Sequence, residues 1–163
     1  MEFTLTYRGE LKANRGPKEK QAIRRCFHAQ LAELWKQKPL NENQSLIGIE
    51  PAKGDIVLLQ QHGKFTFAPL VSEKLNLTAN IKITMLRPEP PGSIVTQAGD
   101  IDNRLKTLLD ALKVPSEPNA IPKDDAPSEN ETPFFCVLED DNLITHLAVE
   151  TDRLLEKTTS PSE

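Results

Sequence analysis

An apolar stripe fenced by two prolines constrains this chain most. Between Pro17 and Pro39, the residues Ala22, Ile23, Cys26, Phe27, Leu31, Leu34 and Trp35 recur at three- and four-residue spacing. That is the period of one helix face. Proline fits the first turn of a helix and stops one that runs into it. The spacing therefore predicts a helix opened by Pro17 and closed by Pro39, with the stripe, Trp35 included, in the core. Lys18, Lys20, Arg24, Arg25 and His28 fall mostly elsewhere on the helix, where they meet phosphate or only water.

The rest of the chain alternates short strand signals with loops. Phe3, Leu5 and Tyr7 alternate with Thr4 and Thr6, as in a half-buried strand. Asp55 to Leu59 reads as a strand, and Phe65 to Leu70 as another, at an edge because of Pro69. Ala79 to Arg87 is a strand with Ile81, Ile83 and Met85 on one face, and a Pro-rich loop, Pro88 to Gly99, follows it. Residues 103–113 form a short helix with Leu105, Leu108, Leu109 and Leu112 as its buried stripe. Phe134 to Leu138 and Thr145 to Thr151 close the apolar pattern. At 163 residues the chain suits one domain with a real core. We expect an α+β fold over residues 1–157, a mixed sheet of about four strands packed with two main helices. Residues 114–133 form an acidic insert, and residues 158–163 a polar tail.

Charge divides the chain. Residues 1–38 carry nine Lys/Arg against four Asp/Glu, and residues 39–163 carry eleven against twenty, within a net charge of −4. A basic front end joined to an acidic remainder suits a protein that grips phosphate with one part and metal with another. Chance asymmetry over solvated faces is the bland alternative. Cys26 and Cys136 lack CxxC spacing and read as two buried thiols in a reducing compartment. His28, His62 and His146 are scattered, against a zinc site. No apolar run approaches a membrane span, and Met1-Glu2-Phe3-Thr4 lacks the layout of a signal peptide. A soluble, cytoplasmic protein is expected.

The most informative stretch is Gly99-Asp100-Ile101-Asp102-Asn103-Arg104-Leu105-Lys106. In extended backbone, residues two apart point to one side, so Asp100 and Asp102 would present paired carboxylates. Asp102 stands where a helix N-cap belongs. On the helix that follows, Asn103, Lys106 and Asp110 lie within about 100° of Asp102, opposite the leucines. Adjacent carboxylates repel unless a cation sits between them, and Mg²⁺ takes such oxygen ligands. A bound Mg²⁺ activates water and neutralises charge on a phosphate oxygen, and a lysine beside it adds a fixed positive charge. Asp140-Asp141, at the end of an apolar strand, offers a third carboxylate. The bland reading of each motif is a helix cap and a solvated acidic turn. An EF-hand is excluded, because counting from Asp100 puts Leu105 where glycine is needed and Ala111 where glutamate is needed.

The blocks Asp100-Ile-Asp102-Asn103-Arg-Leu-Lys106-Thr-Leu-Leu-Asp110-Ala-Leu and Glu139-Asp140-Asp141-Asn-Leu-Ile144 resemble the RusA family of Holliday junction resolvases. That family shows Asp-x-Asp-Asn-x-x-Lys-x-x-x-Asp-Ala-Leu on a helix, then Asp-Asp and a strand. The resemblance implies that Asp100, Asp102 and Asp141 bind metal, with Asp140 as a helper, and that Lys106 is the essential lysine. It also implies a homodimer of mixed α/β fold that uses Mg²⁺, with Mn²⁺ as a substitute, to nick a four-way DNA junction in pairs.

Three functions follow in order. The first is a Mg²⁺-dependent endodeoxyribonuclease for Holliday junctions or other branched DNA in recombination and repair, with Lys12, Arg15, Lys18, Arg24 and Arg25 as backbone contacts. The second is a non-catalytic nucleic-acid-binding or interaction protein of the same fold. The third is a metal-dependent phosphohydrolase of small esters, which the absence of a Gly-rich phosphate loop disfavours.

Overall fold

The computed structural model describes residues 1–11, 15–88 and 101–156. Helix α1 spans Pro17–Leu34. It stops short of Pro39 because its last turn tightens: Lys36 and Gln37 donate to Glu33 and Leu34 three residues back, at 3.2 and 3.0 Å. Residues just before a proline disfavour the α conformation. Trp35 caps the helix and is buried, as its place in the apolar stripe predicts.

Five strands follow, arranged in two sheets. Strand β1 (Gln60–His62) pairs antiparallel with β2 (Phe65–Val71), which pairs in parallel with β4 (Phe134–Leu138). Strand β3 (Ala79–Arg87) pairs in parallel with β5 (Ile144–Arg153) in a separate two-stranded sheet. Helix α2 covers Ile101–Leu112. The architecture is α+β, with two helices and a mixed sheet as expected.

Alternation along β2 and β4 decides what covers each face of the larger sheet. Ala68, Leu70, Phe135 and Val137 join Ile23, Phe27, Leu31 and Trp35 of α1 and Ala111 and Leu112 of α2 in one core. Phe65, Phe67, Phe134 and Cys136 form a second cluster with Val114, and Ile121 packs against it. The 114–133 segment thus roofs the far face of the sheet. Strand β4 is buried at all five positions, which explains its unbroken apolar sequence. Strand β3 keeps the predicted alternation, with Ile81, Ile83 and Met85 half-buried on one face.

Four expectations change. Phe3 to Tyr7 enters no ladder among the described residues; its side chains pack on the core while Gln30 bonds the Thr6 N–H at 2.8 Å and the Thr6 carbonyl at 2.7 Å. A side chain there takes the place of a neighbouring strand. Residues 55–59 are not a strand, although the Leu58 N–H donates to Leu46. Pro69 lies on the central strand, but β1 reaches only to Phe67 and β4 pairs from Phe67 onward, so β2 has partners on both sides only at Phe67. Finally, Cys136 is buried while Cys26 is only half-buried, and both are free. Burial pushes the Cys136 thiol up to about 12, leaving it protonated. Among the described residues no helix is long and apolar enough to cross a membrane.

Candidate active-site cleft

Helix α2 begins at Ile101, so Ile101 and Asp102 are already helical. Asp102 therefore stands in the first turn and is no N-cap, and the pairing expected of it with Asp100 lies outside the described residues. An exposed acid in the first turn still suits the positive end of the helix dipole. Asp100 lies outside the described residues. The buried side of α2 is also not purely the leucine stripe: Thr107, Ala111 and Leu112 are its buried residues, and Leu108 and Leu109 are half-buried. Small side chains at 107 and 111 let α2 approach α1 closely.

On α2 the spacing four, four from Asp102 reaches Lys106 and Asp110 within an arc of about 80°, and Lys113, directly after the helix, bridges to Leu138. These four groups line an open cleft of about 650 Å³. Lys20 and Arg24 of α1 form its opposite wall, Arg15 and Pro17 one end, and Ser116, Glu117 and Asn119 of the insert another side. Asp141, from the turn after β4, lines the same cleft. The structure therefore brings Asp102, Lys106 and Asp141 to one concavity from two distant parts of the chain.

The link between these parts is backbone. Val114 N–H donates to the Leu138 carbonyl at 3.0 Å, laying the end of α2 alongside the end of β4. Lys113 and Asp141 are thereby neighbours, with Nζ 2.7 Å from Oδ2. The same ammonium lies 4.0 Å from Asp110 Oδ1, and Lys20 Nζ lies 2.6 Å from Asp110 Oδ2. Asp110 and Asp141 thus have lysine partners, whereas Asp102 and Lys106, both exposed, are held by no ion pair among the described residues. The Lys113 bond holds the Asp141 carboxyl below its usual value. Burial works against the Lys113 charge, but its bond to Asp141 prevails and the ammonium is strengthened.

The acidic run Glu139-Asp140-Asp141 divides into three tasks. Glu139 ties β4 to the end of β2 by accepting from Gln60, Ser72 Oγ and the Glu73 N–H. Asp140 caps the short turn that follows, accepting from the Asn142 N–H at 3.0 Å. The cap occupies Oδ1 alone, and the carboxylate stays beside Asp141. Only Asp141 faces the cleft.

Of the expected DNA contacts, Lys12 lies outside the described residues and Lys18 is exposed. Arg15 borders the cleft, steadied by Glu10 at 3.2 Å and Glu19 at 3.6 Å. Arg24 is corrected. It is only 2% exposed, bonding Gln21 and the Asp110 carbonyl, and its guanidinium braces α1 against α2. Arg25 is corrected too, being bonded to Glu131 and Asp125, both at 2.8 Å. The sequence reading missed Lys20 and Lys113 as site residues. Lys113 was within reach, since it directly follows the helix that carries Asp102, Lys106 and Asp110.

Among the described residues no three His, Cys, Asp or Glu side chains form a metal cage. Mg²⁺ asks for less: it keeps several waters and takes one or two carboxylates plus substrate phosphate. Asp102 and Asp141, which line the cleft together with Arg15, Lys20, Arg24, Lys106 and Lys113, are of that donor type. No protein-family model, curated protein or solved structure matches the chain.

Proposed function

We propose that the protein is a Mg²⁺-dependent endodeoxyribonuclease for branched DNA, related to the RusA resolvases and acting as a cytoplasmic homodimer. One observation carries this reading: Asp102, Lys106 and Asp141 line a single cleft although they belong to α2 and to the turn beyond β4. Carboxylates and lysines that line one cleft, with Lys106 held by no ion pair among the described residues, are what a phosphodiester site needs, since the acids hold a hard cation and the lysines meet the anion.

Asp102 and Asp141 would hold the ion, with Asp100 as a third ligand. When bound, the ion activates a water and neutralises charge on the scissile phosphate. Lys106, exposed one turn from Asp102, meets the phosphate oxygens. Arg15 at the end of the cleft and Lys20 on α1 hold the flanking backbone, and the leucine side of α2 keeps this constellation rigidly mounted. Two such clefts related by a two-fold axis would deliver the paired cuts a four-way junction requires.

The test is cleavage of four-way junctions, plain duplex and nucleotides by the purified protein in Mg²⁺ or Mn²⁺. Junction cleavage falling roughly a thousandfold in Asp102→Asn, with the fold intact by circular dichroism, is the expected result. Junction binding without cleavage in either metal, or hydrolysis of nucleotides alone, would overturn the proposal.

A further inference from the structure

Lys113 has two acceptors and one ammonium. Its Nζ is bonded to Asp141 at 2.7 Å, and a second carboxylate, Asp110, stands 4.0 Å away on the same helix. The side chain is 16% exposed, its stem packed at the floor of the cleft where α2 meets the end of β4. Asp110 in turn has Lys20 on its other oxygen at 2.6 Å. The order across the cleft floor is thus Lys20, Asp110, Lys113, Asp141, with positive and negative groups alternating.

We propose that Lys113 is the internal counter-ion of the metal site, partnering Asp141 when no divalent ion is bound and turning to Asp110 when one is. The proposal rests on the reading of Asp141 as a metal ligand. Its physical basis is direct. An ammonium only 16% exposed needs a negative partner at all times, whereas Asp141, its side chain 47% exposed, can do without one. An ammonium on a flexible four-carbon stem exchanges acceptors by rotation about its own bonds. Asp110 is a waiting acceptor, so the lysine keeps a partner after giving up the first. Lys113 is a positioning residue here: it sets how tightly the cleft takes a cation and keeps the empty site from being a cluster of bare acids.

This assigns an unusual sign to its removal. A lysine that only braced the end of α2 would, when removed, leave metal affinity unchanged or weaken it. A counter-ion that competes for Asp141 and repels the incoming ion would, when removed, tighten metal binding.

The experiment is calorimetric titration of Mn²⁺ into the full chain as wild type, Lys113→Met, Lys113→Arg and Asp141→Asn, each checked for its fold by circular dichroism. Lys113→Met is expected to bind about tenfold more tightly than wild type, because a like charge and a competitor are lost together. Lys113→Arg keeps the charge and should stay within about threefold of wild type. Asp141→Asn should bind much more weakly than either. If Lys113→Met fails to fold, Lys113→Gln, which keeps a polar stem, replaces it. Wild type that binds with Lys113→Met no tighter overturns the counter-ion assignment and leaves the nuclease reading standing. Absence of binding in wild type overturns both.

Discussion

Helix α1 sends basic side chains to two sides, and the two sides differ in what surrounds them. Arg25 and His28, three apart, face the insert. Arg25 bonds Glu131 and Asp125, and His28 donates from Nε2 to the Asn130 carbonyl at 3.0 Å while Nδ1 accepts from the Phe135 N–H at 2.9 Å. Glu131 is 7% exposed, and the imidazole is stacked between Phe134 and Phe135. Lys20 and Arg24, four apart, face α2 and the cleft, roughly 140° around the helix from Arg25 as measured from Lys20. There Asp141 has a side chain 47% exposed, and Asp102 and Lys106 stand in solvent. Arg24, at the base of that side, is buried, the one charged group lining the cleft among the described residues that is.

The same chemistry therefore serves two purposes. A buried ion pair with its hydrogen bonds filled is a fixed fastening, because losing one partner strands the other. An exposed pair contributes little stability and exchanges partners readily. The insert side is a fastening because Glu131, its side chain 9% exposed, accepts from both Arg25 and the Ser128 N–H. On the cleft side Asp141, 47% exposed, is the replaceable contact, and the Lys20–Asp110 pair is no more open than Arg25.

Removing Arg24 should have the largest effect on the fold. Arg24→Met leaves the Asp110 carbonyl and Gln21 Oε1 without their donor, and it should cost about 3 kcal/mol in urea denaturation. Unchanged stability together with weaker DNA binding would instead return Arg24 to the working face.

Acid should loosen the insert side in two stages. Burial, only partly offset by the Asn130 bond, holds His28 below its usual 6.5. The unfolded chain thus takes up the proton first, so stability present above about pH 6.5 is lost as pH falls toward the lower folded value, by up to about 1.4 kcal/mol for each unit. Burial works against Glu131 ionisation, but its bonds from Arg25 and the Ser128 N–H prevail and hold it below 4.5. That second contribution is present above about pH 4.5 and lost below it. Stability that stays flat between pH 7 and 5 would remove His28 from the fastening. Glu131→Gln should cost less, about 1.5 kcal/mol, since Arg25 is 36% exposed and keeps Asp125. Loss of the insert contact should show as faster amide exchange in residues 121–131, with β4 still protected.

Much of this was legible in the sequence wherever the signal was local. The period of two in Ala79–Arg87 and the stripe ending at Trp35 each needed only their own residues, and both elements formed. The phenylalanines of Phe134–Leu138 announced burial for the same reason. What failed was local pattern with a distant partner. The alternation of Phe3, Leu5 and Tyr7 is real, yet Gln30 rather than a strand satisfies the Thr6 backbone. Arg24 and Arg25 look like surface cations because their partners, Asp110, Asp125 and Glu131, lie some hundred residues on. Of the residues lining the cleft, Asp102, Lys106 and Asp141 were singled out by motif. Lys113 was not, because a lysine at a helix end also reads as an ordinary partner of the helix dipole.

The smallest effect on the fold, and the sharpest contrast with Arg24, is expected of Lys106. Its ammonium stands in solvent with no ion pair among the described residues, so Lys106→Met should change unfolding free energy by less than about 0.5 kcal/mol. Its work, if the cleft meets DNA, is done on phosphate. A cation that neutralises one phosphate displaces about one counterion, so the slope of log affinity against log salt should become shallower by about 1 in the variant. Arg25→Met, whose charge is already spent on Glu131 and Asp125, should leave that slope where it was. Should Arg25→Met flatten the slope while Lys106→Met does not, the fastening and the working face have been assigned to the wrong sides of the helix.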